Sequence, residues 1–454
     1  MFNTNKETLT ASEVSKYIQV FKTKQLVRLK KLKRYFDNKN DTILNRTFND
    51  ITKPNNKVCS PWASYISNTL TGYFMGSPVV YSSTNKELYD DIITVLKDND
   101  EEVKNYQLAL DMSIYGVAYE LNYIVNGEFR FDMINPQTMI TIYDNSISQE
   151  LKFAIRFWTE QELLTDKEVT YAVVYDNKYA TTFKGTLGES FTQIDKEEHM
   201  IGKIPVIVYK NTKGYVGDFE KIISLIDSYD IAIADTMNFR EELNDNYLVF
   251  KNTNLENEDI IKMKNSKIIQ IENGAEGVVA EVEWLTRESN DGESENLKSR
   301  LETDIKTFSY ISELEVKSHT TASGNSLQLI GLESLIAQKE QNFRKALNKR
   351  LDNIIEFINM LGEDYTNDIT MKFTRNLPLD MNIEADILSK VAPYVTHETL
   401  LGLMSFIPNP KAESDKWKLE QKENNINNQN NIDNQNNDID KQNNDIESEV
   451  LDDK

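Results

Sequence analysis

Side chains able to do chemistry are plentiful in this chain, but few stand at spacings that chemistry needs. A Walker phosphate loop requires G-x-x-x-x-G-K-[ST], so that successive backbone N–H groups cradle the phosphates. The Gly202-Lys203 pair runs on into Ile204-Pro205 and cannot form one. A structural zinc site needs four close Cys or His ligands, whereas the chain has Cys59 and three scattered histidines, His199, His319 and His397. His397-Glu398 lacks the second histidine of a metalloprotease helix, and no G-x-S-x-G elbow occurs. Asp98-Asn99-Asp100-Glu101-Glu102 opens like a calcium loop but lacks its glycine and closing glutamate. It reads as a solvated acidic turn. Carboxylates are numerous enough that a metal-dependent nuclease pair stays open, yet no spacing singles one out. No catalytic residue, metal ligand or cofactor is therefore assigned, and the expectation is a protein that is not an enzyme.

Composition narrows the class further. The 454 residues exceed one ordinary core, so two or three domains are expected. The 51 basic and 73 acidic side chains leave a formal charge of −22, which excludes a protein that wraps DNA through a basic surface. It does not exclude a surface past which DNA slides. A single cysteine rules out a disulfide within the chain and fits a reducing compartment. The start, MFNTNKETLT, carries no apolar signal region, and no run of residues is apolar enough to span a bilayer, so no membrane association is expected.

The elements follow from periodicity. Residues 10–37 read as one helix with Ile18, Phe21, Leu29, Leu32 and Phe36 on one face. Its other face is basic, with Lys22, Lys24, Arg28, Lys30, Lys31, Lys33 and Arg34. A helix from about Pro61 to Met75 ends at Gly76 and Pro78, a strand begins at Val79, and a helix covers 86–113. Short strands follow over 117–125, 129–134, 139–143, 151–158, 169–175 and 179–183, with Asn126-Gly127 as a hairpin turn. This α+β region ends near Tyr209. Residues 218–246 return to a helical period with Asp218 as N-cap, and carry Asp227, Asp230, Asp235, Glu241, Glu242 and Asp245 on the exposed side. Residues 247–285 form a small αβ module, and 293–312 are helical again with Leu297, Leu301, Ile305 and Phe308 in one stripe. A polar break at 313–325 precedes a helix over 326–361, about 54 Å long, which needs extended neighbours. A strand near 369–373 and two short helices at 383–407 and 411–423 follow. From Asn424 the chain is rich in Asn, Gln and Asp and is expected to be disordered.

In that order, several segments resemble the portal proteins of siphophages of Gram-positive bacteria. The likeness is carried by Asn55-Asn56-Lys57-Val58, Tyr65-Ile66 and Gly72-Tyr73-Phe74-Met75-Gly76-Ser77-Pro78-Val79. It continues in Gly217-Asp218-Phe219-Glu220-Lys221, Leu225-Ile226-Asp227-Ser228-Tyr229-Asp230 and Asp245-Asn246-Tyr247-Leu248-Val249-Phe250. Val282-Glu283-Trp284-Leu285-Thr286, Ser323-Gly324-Asn325-Ser326 and Gly331-Leu332-Glu333 complete it. Each motif is weak alone; their order and spacing across about 15–420 are specific.

The resemblance implies a multi-domain α+β portal architecture assembling into a ring of about a dozen subunits at one capsid vertex. Residues 1–215 would be the wing, 216–246 and 286–312 the stem helices, and 247–285 the clip. Residues 313–325 would be the tunnel loop, 326–382 the long wing helix and strand, 383–423 the crown, and 424–454 a disordered tail. The implied role is a channel for packaging and ejecting double-stranded DNA. The implied partners are further copies of the chain, the terminase, a head–tail adaptor, and the major capsid and scaffolding proteins. The location would be the virion, after assembly in the host cytoplasm.

In the tunnel loop, Lys317 and His319 are the candidates to touch phosphates, with Ser318, Thr320 and Thr321 for neutral contacts. The acidic residues Asp227, Asp230, Asp235, Glu241 and Glu242 either line the channel, where they would let DNA slide, or form an ordinary solvated face. Trp284 reads as a core or subunit-interface residue.

Overall fold

The computed structural model describes residues 2–50, 53–161, 168–188, 191–244, 247–252, 281–285, 291–314, 329–376, 388–402 and 410–422, with isolated positions at 258, 261, 279, 386, 404 and 407. The chain divides into two compact units, one of residues 1–74 and 83–369, the other of 75–82 and 370–454.

In the first unit a two-residue strand, β1 (Phe2–Asn3), leads to α1 (Ala11–Lys24), which starts on a capping box between Thr10 and Glu13. The helix expected over 10–37 is broken at Gln25, where α2 (Leu26–Phe36) begins. The break re-phases the buried face. Val14, Ile18 and Phe21 are buried before it and Leu29, Leu32 and Tyr35 after it, so Tyr35 takes the place expected for Phe36. A single turn, α3 (Asp41–Leu44), and α4 (Trp62–Met75) follow.

The helix expected over 86–113 is likewise two, α5 (Lys86–Asp98) and α6 (Glu101–Tyr115). Between them Asp100 takes a positive φ of 51°. The turn is not solvated as expected, because Asn99 and Glu101 are buried. The Asn99 amide donates to the Val95 and Phe129 carbonyls and accepts from the Phe131 N–H, stitching the turn to a strand.

The strands of residues 117–210, together with β1, form two sheets. One has the order β1-β5-β6-β7-β8-β9, the other β10-β3-β4. Here β3 is Val117–Val125, β4 Glu128–Ile134, β5 Met139–Tyr143, β6 Leu151–Gln161, β7 Glu168–Tyr175, β8 Tyr179–Gly185, β9 Thr192–Glu198 and β10 Val206–Lys210. Asn126 and Gly127 both take positive φ in the β3–β4 hairpin, as the tight turn requires. Strand β9 had no signal in the sequence, since every one of its residues is exposed and no alternation marks it. Val117, Tyr119, Ile134, Met139, Ala154, Tyr175 and Val206 form the core joining the two sheets.

A 3₁₀ turn (Glu220–Ile222) leads into α7 (Ile223–Asn244), and the hairpin β11 (Tyr247–Lys251) and β12 (Glu281–Leu285) connects it to α8 (Asp291–Phe308). The 31-residue α9 (Ile330–Met360) spans about 46 Å. In the second unit β2 (Val80–Ser82) pairs with β13 (Thr370–Lys372). The helix expected over 383–407 is interrupted by a 3₁₀ turn at Ala392–Tyr394, where Pro393 supplies no N–H, and restarts as α10 (His397–Gly402). A last helix covers 410–422, and the tail from Asn424 lies outside the described residues.

Candidate functional site

Helix α7 carries the acidic residues singled out by the sequence, and most of them are engaged. Asp227 accepts from the Tyr35 hydroxyl at 2.7 Å and the Thr42 hydroxyl at 3.0 Å. Burial and then the Asp227 carboxylate push the Tyr35 phenol well above its ordinary pKa. Asp230 was expected on the exposed side but is fully buried, accepting from Asn40 Nδ2 at 2.7 Å and the Ser60 N–H at 2.9 Å. Burial raises its carboxyl above the usual range. Asp235 pairs with Arg46, and Glu241 accepts from Asn56 Nδ2 at 2.7 Å. Glu242 is exposed and has no partner among the described residues.

This corrects the picture of a free acidic face, because the α2–α4 segment covers the acids nearest the start of α7. The same contacts explain Asn55-Asn56-Lys57. Asn56 donates its N–H to Asn238 Oδ1 at 2.7 Å, Asn55 Nδ2 donates to the Arg46 carbonyl, and Lys57 Nζ donates to the Leu44 carbonyl.

Helix α8 packs along α7. The Thr236 and Ser294 hydroxyls lie 3.0 Å apart, and Ile305 is buried. The apolar stripe expected on α8 is only partly used, since Leu297 and Phe308 are 54 % and 61 % exposed. Three ion pairs, Lys298–Glu295, Arg300–Asp304 and Lys306–Glu302, neutralise charge within the helix.

Asp218 is not the N-cap expected, because the helix proper starts five residues later at Ile223. Its N–H donates to the Ser113 carbonyl, and its carboxylate accepts from Ser113 Oγ at 2.6 Å and Asn211 Nδ2 at 2.8 Å. It also pairs with Lys339 of α9, both side chains being 3 % exposed. Beside it Gly217 lies so close to α6 that a Cβ would fall 2.5 Å from the Ile114 carbonyl oxygen. Arg28 closes the joint, donating to Glu220 Oε1 at 2.6 Å and to the Tyr215 carbonyl at 2.7 Å.

Higher on α9, Arg350 is fully buried. Its Nε lies 3.0 Å from each oxygen of the buried Glu120, with further donation to Tyr209 Oη at 3.0 Å and Asn105 Oδ1 at 2.9 Å. Asn353 Nδ2 donates to Asn122 Oδ1 at 2.8 Å, and Glu333 accepts from the Tyr73 hydroxyl. The long helix is therefore fastened to β3, β10 and α6 by polar contacts at several heights. Sequence reasoning missed these residues. A signal existed, since Lys339, Arg350 and Asn353 fall in phase with the apolar stripe of Leu332, Ile336, Phe343, Leu347, Leu351 and Ile354.

Asp245, Lys317, Ser318, His319, Thr320 and Thr321 lie outside the described residues. So does most of the module between β11 and β12, although the hairpin backbone places Trp284 opposite Leu248. Among the described residues no group of three or more His, Cys, Asp or Glu stands ready to hold a metal, and no helix is long and apolar enough to cross a membrane.

Residues 15–427 match the family model described as "Phage portal protein, SPP1 Gp6-like". The chain belongs to this portal family. It is 24 % identical over 426 residues to the portal protein of Bacillus phage SPP1, covering 85 % of this chain and 79 % of that one. It is 23 % identical over 419 residues to the portal protein of Clostridium phage phiCD119, covering 86 % of this chain and 92 % of the other. Portal proteins are structural components of tailed-phage virions.

Proposed function

We propose that the chain is one subunit of a closed ring at a capsid vertex, through which double-stranded DNA is packaged and later ejected. The observation that carries this reading is the portal-family match over residues 15–427, nearly the whole chain. The helix–hairpin–helix of α7, β11–β12 and α8, followed by the long α9, is an arrangement suited to it. In this reading residues 1–215 are the wing, α7 and α8 the stem, and 247–285 a clip that docks the terminase and then a head–tail adaptor. Residues 313–325 are the tunnel loop, 326–382 return to the wing, and 383–423 form a crown. Capsid and scaffolding proteins surround the wing.

The channel hypothesis now rests on fewer acids. Asp227 and Asp230 support the fold, whereas Asp235, Glu241 and Glu242 remain exposed and are the candidates to face DNA. A lining of one negative sign does not hold a polyanion, so the duplex slides past it. Lys317 and His319 would supply the only cations of the constriction.

Negative-stain electron microscopy of the purified protein, with its mass in solution, tests the reading. Rings of about a dozen subunits around a central hole are expected, since cyclic closure is a specific assembly outcome. A protein that stays monomeric at high concentration and cleaves DNA with added magnesium would overturn it.

A further inference from the structure

Two apolar features leave the six-stranded sheet at the same end, on opposite flanks. Strands β5, β7 and β9 run in one direction, so the β5–β6 loop and the turn after β9 share that end. Three to four strand spacings, roughly 17 Å, separate them. The first feature is Ile147, whose side chain is fully exposed on the β5–β6 loop. The loop that carries it is fixed. Asp144 Oδ1 accepts from Ser146 Oγ at 2.8 Å and from the Glu150 N–H at 2.9 Å. The Asp144 N–H donates to the Glu150 carbonyl, and Asn145 Nδ2 donates to Asn5 Oδ1, both at 2.9 Å.

The second feature is a cavity of about 400 Å³, walled by Ile201, Gly202 and Lys203 after β9 and by Glu356, Asn359 and Met360 of α9. Met360 is 58 % exposed, and Met200 and Leu361, which adjoin the wall in sequence, are 60 % and 70 % exposed. These walls are fixed too. His199 Nε2 donates to the Asp176 carbonyl at 2.9 Å, and its Nδ1 accepts from the Ile201 N–H at 3.3 Å. Between them Met200 takes a φ of 61°, which bulky side chains rarely adopt. The Asn359 side chain bonds both the N–H and the carbonyl of Tyr365. The charged wall residues, Lys203 and Glu356, cancel each other as an ion pair at 2.5 Å.

A head-to-tail contact between identical chains needs two different patches on one chain, and repeating it closes a ring. A fixed apolar projection on one flank and a fixed apolar cavity on the other meet that need, and one occupant accounts for both. Each copy carries a charge of −22, so copies meet at least cost where the surface is apolar and its charges are paired. We propose that Ile147 of one copy seats in the cavity between Ile201 and Met360 of the next. The contact deepens the ring reading and rests on it.

The test uses the full-length protein, the variant Ile147→Asp, and Ile147→Cys and Met360→Cys singly and combined. The wild type, whose one cysteine is Cys59, is the control. After mild oxidation the combined variant should run as a ladder of covalent multimers on a denaturing gel. The two single variants should cross-link to each other when mixed before assembly, and neither to itself. Ile147→Asp should need at least about tenfold more protein to assemble, since each contact loses one buried aliphatic side chain. Its melting temperature, recorded below the assembly concentration, should equal that of the wild type. Rings of the combined variant that give no ladder overturn the contact and leave the ring reading standing. Ile147→Asp that assembles at the wild-type concentration also overturns it, and decides the matter if the combined variant fails to assemble. So does Ile147→Asp that melts lower as a monomer, which would make the side chain part of its own fold. Cross-linking of Ile147→Cys to itself overturns it as well, because like loops would then meet. A wild type that never assembles overturns the ring reading and the contact together.

Discussion

Arg350 and Glu120 meet inside the protein as an ion pair with both side chains fully buried, although 230 residues separate them in sequence. Taking two charges out of water is costly, and such a pair holds only if every remaining donor and acceptor is met. Tyr209, Asn105 and Asn122 meet them here, and a second buried carboxylate, Glu101, stands 3.8 Å from the guanidinium. Replacing Arg350 by Met leaves the Glu120 carboxylate buried and uncompensated, which costs on the order of 3–5 kcal/mol. Adding Glu120→Leu to Arg350→Met should recover much of that loss. Urea unfolding midpoints of the four proteins in this cycle check it, and purely additive effects would show that the two residues do not act as a pair.

Gly217 and Ile114 make the close approach at the foot of α7. A Cβ at Gly217 would press on the Ile114 carbonyl, a backbone group that cannot swing aside. Gly217→Ala is expected to cost more than about 1 kcal/mol and to weaken the Asp218–Lys339 contact next to it. Amide exchange should quicken over the first turns of α7 while that of β6 and β7 holds. Unchanged exchange in α7 would refute this.

Asp111 gives the fold a dependence on pH. It lies on α6 beside α2, where burial pushes its carboxyl up to about 7 against a weak downward pull from Lys33. The folded chain therefore keeps a proton that the unfolded chain has lost between about pH 4 and pH 7. The stability tied to protonated Asp111 is complete below pH 4 and is lost as pH rises toward 7. Asp111→Asn removes this loss, gaining on the order of 2 kcal/mol at pH 8 and close to nothing at pH 4, after a discount for partial solvent access. Urea midpoints at the two pH values check the difference, and an equal effect at both would refute the assignment.

The sequence showed most strands because each alternates or is densely apolar, as in Val117–Val125 and Met139–Tyr143. It did not show β9, whose Thr192–Glu198 run is exposed on both faces and pairs along one edge only, with β8. The helix break at Gln25 was hidden because glutamine is no strong breaker, whereas the turn at Asn99 was read from its acidic run without dividing the helix drawn over 86–113. Tertiary contacts, such as the Asn99 bonds to Phe129 and Phe131, decide them. The acids of α7 were read as one exposed side, yet Asp227 and Asp230 are covered by a segment nearly two hundred residues earlier, which periodicity within one helix cannot reveal. The buried Lys339 and Arg350 were legible as charged residues in an apolar stripe. Their partners, Asp218 and Glu120, were not, since pairing follows topology.

The channel reading makes opposite demands on two positions, and that allows a sharp test. Under it Glu242, exposed and without a partner among the described residues, keeps DNA from adhering to the stem near the end of α7, whereas Lys317 in the 313–325 segment steadies it at the constriction. Each change is multiplied around a ring, so one substitution per subunit alters a whole girdle of charge. Glu242→Lys should make the wall hold phosphates and slow translocation, most at low salt, because each added contact steepens the salt dependence by about one. Lys317→Glu should impair packaging by removing the steadying charge, with little change across the same salt range. Both variants should still form rings, since neither touches the buried pairs that fasten α9. Packaged DNA length, measured in particles assembled at two salt concentrations, separates the cases. Normal packaging by Lys317→Glu sinks the role of that lysine, and salt-independent packaging by Glu242→Lys takes Glu242 off the channel wall.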